Sequence, residues 1–246
     1  MQLKNKWKND KIDKNCRCGE IGIHASLKMM WEQSRVGSSP TSGTMAYYRT
    51  PTLSNDKELQ AYIIGLAIGD GNLSCINKTT RLRISCDTKY PNLIKCIIES
   101  LQLLLPCNKI STTKKPGNCL DICIYSNHIE NLLGWKAKAG SKFIQNVYVP
   151  EWIKQNDDYK IKCLKGLIET DGSIYLDRGY KMVMFVTIIP DLAKSVLEMI
   201  NSLGFKSRLY KLNPSPKSKF KSKVLYHVRL SRDVARFLDL VKPEKN

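Results

Sequence analysis

Nothing in this chain of 246 residues approaches the roughly 20 consecutive apolar residues that a membrane-spanning helix needs. The longest candidate, residues 62–68, covers only about two helical turns. The N-terminal segment is Lys-rich and polar and lacks the apolar stretch of a secretory signal. There is no basic amphipathic helix with an aromatic face either, so no membrane partner is expected. Histidine is rare, and the three present, His24, His128 and His227, do not suggest a histidine general base. Cysteines at zinc-finger spacing are missing too, because Cys16 and Cys18 form a lone C-x-C with no second pair. The cysteine total of nine is odd, and Cys75, Cys86, Cys96, Cys119, Cys123 and Cys163 fall in apolar-patterned segments. They read as buried free thiols of a reducing intracellular compartment. That pattern does not separate cytoplasm or nucleoid from a mitochondrion or chloroplast.

Acidic residues are also in short supply. Asp and Glu number 22 against 40 Lys and Arg, a formal charge of +18. Such an excess calls for an anionic partner, nucleic acid first. Apolar residues make up 42%, enough for a real core and against wholesale disorder.

Residues 1–52 read as a flexible or poorly packed leader: within them 19–44 shows no sustained period of 2 or 3.6 and ends in the turn-rich run 36–44. From residue 55 the pattern becomes regular. Asn55-Asp56 offers an N-cap, with Glu58 at capping-box spacing from Asn55. A helix over 59–69 follows, with Gly71 placed for a left-handed stop. The periodicity then predicts strands at 72–77 and 81–87, a helix opened by Pro91, strands at 109–113 and 120–125, and a short helix over 127–133. The second half repeats this order: a helix over 160–170, strands at 173–176 and 181–187, a helix opened by Pro190, strands at 206–212 and 224–230, and a helix over 232–241. The prediction is an α+β chain built from an αββαββα unit that is duplicated and fused. Its parts are repeats at 53–134 and 159–246 and a linker at 135–158.

One phrase marks the repeat. Ile63-Ile64-Gly65-Leu66-Ala67-Ile68-Gly69-Asp70-Gly71 returns 101 residues later as Leu164-Lys165-Gly166-Leu167-Ile168-Glu169-Thr170-Asp171-Gly172. Gly65 and Gly69 lie four apart and so share a helix face, as do Gly166 and Thr170. Small residues at that spacing let two helix backbones approach closely. Interior glycine costs a helix roughly 1 kcal/mol against alanine, so the first helix needs a packing reason for two of them. Each phrase ends in Asp at the helix C-terminus, the wrong end of the macrodipole for a carboxylate. If the two helices run parallel, Asp70 and Asp171 also converge. Like charges at short range force one group to protonate unless a cation lies between them. Mg²⁺ suits such a site, taking carboxylate and carbonyl oxygens and keeping a phosphate as ligand.

Position by position, both phrases resemble the motif of the LAGLIDADG family of homing endonucleases, and the resemblance spans about residues 56–243. It looks like the single-chain, two-repeat form. The resemblance implies two antiparallel four-stranded saddles related by a pseudo-twofold, with helices on one side. It implies a monomer that cuts both strands of double-stranded DNA at a long asymmetric target, using Mg²⁺ or Mn²⁺. Asp70 and Asp171 match the metal-binding and catalytic acids, and Gly69 and Thr170 match positions whose carbonyls assist. Lys136 or Lys138 and Lys242 match the basic helpers, and Thr88 and Thr187 a polar position near the end of a strand. Ile68 departs from the pattern by replacing an acid that Glu169 keeps.

Strand alternation then assigns Leu82, Ile84 and Cys86 to the core and Arg81, Arg83 and Ser85 to bases. Asn72, Ser74 and Lys78 continue that surface. The second repeat offers Tyr175, Arg178, Lys181, Arg208, Lys211 and Arg229. Lys114, Lys115, Lys217, Lys219 and Lys221 read as clamps on the phosphate backbone at loop tips. Two alternatives keep the fold and the charge: a maturase acting on group I intron RNA, and a DNA-binding regulator that does not cut.

Overall fold

The first helix, α1 (Lys57–Gly69), starts where Asp56 caps it, the carboxylate accepting the Leu59 N–H at 3.1 Å. Asp56 therefore fills the capping role offered to Asn55. The structure, a computed structural model, describes residues 53–214 and 223–245. The leader 1–52 and Lys217, Lys219 and Lys221 lie outside the described residues. From Gln60 to Gly69 every residue of α1 is buried. A helix buried on all sides has no polar stripe, and its near-continuous apolar sequence follows from that.

Strands β1 (Gly71–Ile76) and β2 (Thr79–Asp87) form a hairpin through a turn in which Asn77 adopts φ 53°. Helix α2 (Pro91–Leu104) begins at its proline, whose missing N–H costs nothing at a helix start. Strands β3 (Ile110–Lys115) and β4 (Cys119–Tyr125) and the short α3 (Ile129–Leu133) complete the unit. The linker carries one helical turn that the sequence did not suggest, α4 (Glu151–Lys154). The second unit opens with α5 (Asp157–Thr170), where Asn156 accepts the Asp158 and Tyr159 N–H groups at 2.8 and 3.3 Å. β5 (Gly172–Asp177), β6 (Tyr180–Thr187), α6 (Pro190–Ser202), β7 (Ser207–Leu212), β8 (Leu225–Leu230) and α7 (Val234–Val241) follow.

Both sheets are antiparallel with the same order, β1-β2-β4-β3 and β5-β6-β8-β7. The duplicated αββαββα architecture is thus present. Burial along β2 alternates without a break, with Leu82, Ile84 and Cys86 inside and Arg81, Arg83 and Ser85 half-exposed. One apolar cluster runs under both sheets and around α1 and α5. In the second repeat Phe185 joins it, and Phe205 meets Phe237 edge-on at 5.2 Å between ring centres. Among the described residues, no helix is long and apolar enough to cross a membrane.

Candidate metal and nucleic-acid site

The closest packing in the molecule is between α1 and α5, and glycine permits it. A β-carbon on Gly166 would lie 2.6 Å from Leu66 N and from Tyr62 O, and one on Gly65 would collide with the Cys163 carbonyl oxygen. At the far end Gly69 touches the Thr170 side chain. The Thr170 hydroxyl folds back on its own helix, donating to Gly166 O at 2.9 Å and Leu167 O at 3.1 Å. The helix ends therefore meet, and both Asp-Gly steps are brought to one place. Gly71 is not the left-handed stop expected of it, because its φ is not positive. Its need for hydrogen is steric: a β-carbon on Gly71 would run into the Ala67 backbone, and one on Gly172 would lie 2.5 Å from Ile168 Cα. The chain passes straight from helix to strand at both places.

Asp70 and Asp171 are the C-caps, their N–H groups bonded to Leu66 O at 3.1 Å and Leu167 O at 3.0 Å. Protein surrounds each carboxylate on its helix side, yet both residues keep an open face to solvent. Partial burial pushes both carboxyls above the ordinary aspartate range. Asp171 is pushed up to about 6, by burial first and by the charge of Asp70 second. Lys142 and Lys245 pull both back down in part. Burial lowers Lys142 in turn, and the two aspartates oppose that.

Those two lysines are what the sequence did not point to. Lys142 Nζ donates to Ile68 O at 2.6 Å and to Gly69 O, at the end of α1. Lys245 Nζ donates to Thr170 O at 2.9 Å and Gly172 O at 3.1 Å, at the end of α5. Each ammonium thus caps carbonyls at a negative helix end while facing the acids. The sequence-predicted helpers lie elsewhere. Lys136 pairs with Glu130 at 3.5 Å, Lys138 is exposed in the linker, and Lys242 is an exposed left-handed cap of α7 with φ 48°. A signal did exist: Lys142 follows Asp70 by 72 residues and Lys245 follows Asp171 by 74, so the pair keeps the repeat.

Glu169 holds Lys245 in place. Its carboxylate is buried, accepting the Tyr62 hydroxyl at 2.7 Å and the Glu244 N–H at 2.8 Å. Lys165 bridges to Glu244 at 3.1 Å and approaches Glu169 at 3.8 Å. The residue next to Lys245 is thereby clamped to α5. Ile68, the first-repeat counterpart, is buried among apolar neighbours. Of the two threonines, Thr187 is buried and accepts the Ile189 N–H at 3.2 Å, a structural use. Thr88 lies just past β2, where its N–H bonds Asn118 O at 3.0 Å.

The donors around the acid pair are two exposed carboxylates and the helix-end carbonyl oxygens, which suits a hard divalent cation. Asp70 and Asp171 would hold it. The Gly69 and Thr170 carbonyls are on hand, though each here accepts a lysine ammonium. Among the described residues no three His, Cys, Asp or Glu gather into a softer, zinc-type cluster. Beside Asp171 opens a cavity of about 430 Å³, walled by Phe143, Val186, Ile189 and Leu225 and reached by Lys142 and Lys223.

The register places the expected base-facing residues. Asn72 stands opposite Arg83, and Ser74 opposite Arg81, whose Nε donates to Ser74 Oγ at 3.0 Å. Ser85 donates to Asp121 at 2.7 Å, and Arg83 and Lys115 pair with the same carboxylate at 3.8 and 3.2 Å. In the second sheet Tyr175, Arg208 and Arg229 share the open face, with Arg229 bridged to Asp177 at 2.6 Å. Lys78 and Arg178 are exposed at the two hairpin turns. Three lysines are not on that face. Lys114 pairs with Leu120, Lys181 with Leu176 and Lys211 with Tyr226, so all three share the helix-covered side with the core residues and emerge only at its rim. One position in a strand flips the side chain to the other face, so Lys181 and Lys211 do not join the base-facing set, and Lys114 lies within β3 rather than at a loop tip.

Residues 158–242 match the LAGLIDADG-like domain family. The second repeat therefore carries a LAGLIDADG-like domain, and two repeats of that same fold share one polypeptide. Its structure is similar to mesophilic variants of the homing endonuclease I-DmoI, at 21% identity over 77% of this chain and 98% of that one, with a TM-score of 0.55. It is similar also to I-DmoI in complex with DNA and Mn, at 22% identity over 75% and 96%, TM-score 0.53. Full-length DUF199/WhiA from Thermatoga maritima matches at 10% identity over 75% of this chain and 55% of that one, TM-score 0.50. No curated protein matches.

Proposed function

We propose that this protein is a site-specific double-strand DNA endonuclease that hydrolyses one phosphodiester in each strand at a long asymmetric target, with Mg²⁺ or Mn²⁺. The observation that carries it is the meeting of Asp70 and Asp171 at the junction of two helices, with Lys142 and Lys245 facing them and a sheet leaving from each. Like-charged acids raised above their usual range are costly to keep together, and hold of a cation and a phosphate is the use that offsets the cost. A divalent ion held there would supply charge stabilisation at the attacked phosphate and a lowered pKa for the attacking water.

The chain's own groups do the rest. Asp70 and Asp171 would hold the cation at the meeting of the two helix ends and so orient the reacting centre. Lys142 and Lys245, fixed on helix-end carbonyls, bring positive charge to where the leaving oxygen becomes negative. The open sheet faces, with Arg81, Arg83, Arg208 and Arg229, hold the duplex. The pseudo-twofold sits within one chain, so a monomer carries the whole site. Buried free thiols at Cys86, Cys123 and Cys163 favour a reducing intracellular compartment.

The test is to incubate the full chain with Mg²⁺ and a plasmid library of randomised duplex inserts. Linearised plasmid enriched for one sequence is expected, abolished by EDTA and by Asp70→Asn or Asp171→Asn. Tight binding without any cut would refute the nuclease and favour an intron RNA maturase or a non-cutting regulator.

A further inference from the structure

The two sheets turn different chemistry to their open faces. Position for position, the register equates Arg81, Arg83 and Ser85 of β2 with Met182, Met184 and Val186 of β6. Gly71 pairs with Ile84 as Gly172 pairs with Phe185, and the neighbours follow in step. The first sheet thus shows two guanidiniums and a hydroxyl where the second shows the half-buried thioether of Met184 and the isopropyl group of Val186, with Met182 buried beside them. The contrast continues on the next strand. Ser85 stands opposite the Asp121 carboxylate, whereas Val186 stands opposite His227, itself beside Tyr210. Val186 also borders the cavity next to Asp171, together with Leu225 and Phe143.

An apolar patch on a half-open sheet face needs an occupant. Arg208 and Arg229 lie side by side on this face, and the chain carries a charge of +18, so the complementary occupant is a polyanion. In a duplex major groove the apolar feature is the thymine 5-methyl group, while guanine and adenine edges present acceptors and donors that suit Arg and Ser. Methionine, unbranched and polarisable, adapts to such small apolar contacts.

We propose that the two repeats read their half-sites by different chemistry: the first by hydrogen bonds to purine edges, the second by van der Waals contact of Met184 and Val186 with thymine methyl groups. The target would then be asymmetric in kind as well as in sequence, with a thymine-rich half under the second repeat. This rests on the proposed binding of double-stranded DNA.

The experiment first selects bound duplexes from a randomised pool, using the full chain in EDTA so that nothing is cut. Two derivatives of the selected duplex are then made, each with deoxyuridine for thymine in one half only. That exchange removes the methyl and leaves base pairing intact. Binding is expected to weaken about fourfold per contacted methyl in one half, and by less than twofold in the other. Met184→Ala, with its thermal melt checked against the parent, should reduce that sensitivity, and Arg83→Ala should leave it. Replacing guanine with 7-deazaguanine should show the opposite preference between halves. Equal losses in both halves, a selected site with no thymine in either, or sensitivity undiminished in Met184→Ala would each overturn the proposal while leaving the nuclease intact. Failure of any duplex to outcompete bulk non-specific DNA would overturn the DNA reading and this proposal with it.

Discussion

Asp171→Asn should make the metal-free protein more stable while destroying its activity. The carboxyl sits at about 6 in the folded chain against an ordinary aspartate value of 3.8. The fold therefore holds its proton more tightly than the unfolded chain does. Stability falls as pH rises from 3.8 to about 6, and above about 6 the full cost is present. Taken at face value the difference is roughly 3 kcal/mol. Asp171 keeps an open face to water, however, so screening reduces that to about 1 kcal/mol. An uncharged asparagine avoids this cost. In EDTA at pH 7.5, Asp171→Asn should raise the melting temperature by about 2–4 °C for a chain of this size. At pH 4 the gain should largely vanish, because the wild-type carboxyl is then protonated. Excess Mg²⁺ should raise the wild-type melt and leave that of the variant nearly unmoved. The assay is calorimetry at both pH values, with and without the ion. A variant that melts lower at pH 7.5 in EDTA, or a gain that persists undiminished at pH 4, would refute the electrostatic account of the acid pair.

Three further outcomes follow from the geometry. Gly65→Val places branched carbons against the Cys163 carbonyl, where backbone must move; it should cost about 3 kcal/mol or more in urea unfolding, and a loss under 1 kcal/mol would show the helices are not so close. Glu169→Gln weakens the clamp on Glu244, so supercoiled plasmid should accumulate as nicked circle because the cut served by Lys245 slows more than the one served by Lys142. Equal slowing of both cuts would contradict that assignment. Duplex binding should weaken steeply with salt: for about six neutralised phosphates, log K against log salt should slope near −5, and a slope shallower than about −2 would remove the basic faces from the account.

Much of this was readable beforehand because the features were local. The duplicated phrase, the prolines at the starts of α2 and α6, and the unbroken alternation of β2 all express short-range rules of period and capping. Asp70 and Asp171 were legible for the same reason, as matched ends of matched helices. The lysines that face them were not. Lys142 and Lys245 come 72 and 74 residues after their acids and reach them by tertiary folding, so nearby Lys136 and Lys138 drew the assignment instead. Lys181 and Lys211 do not share the base-facing surface because charge says nothing about strand parity, while the register does. The buried Glu169 looked like a retained motif letter, yet its value lies in bonds to Tyr62 and Glu244 that no window of sequence brings together.

The most direct test is to grow crystals with Mn²⁺ and measure anomalous scattering at the manganese edge. The account predicts a peak coordinated by carboxylate oxygens of both Asp70 and Asp171, at the meeting point of the two helix ends. A peak bound to other residues, or carboxylates that point away from each other with none between them, would contradict it.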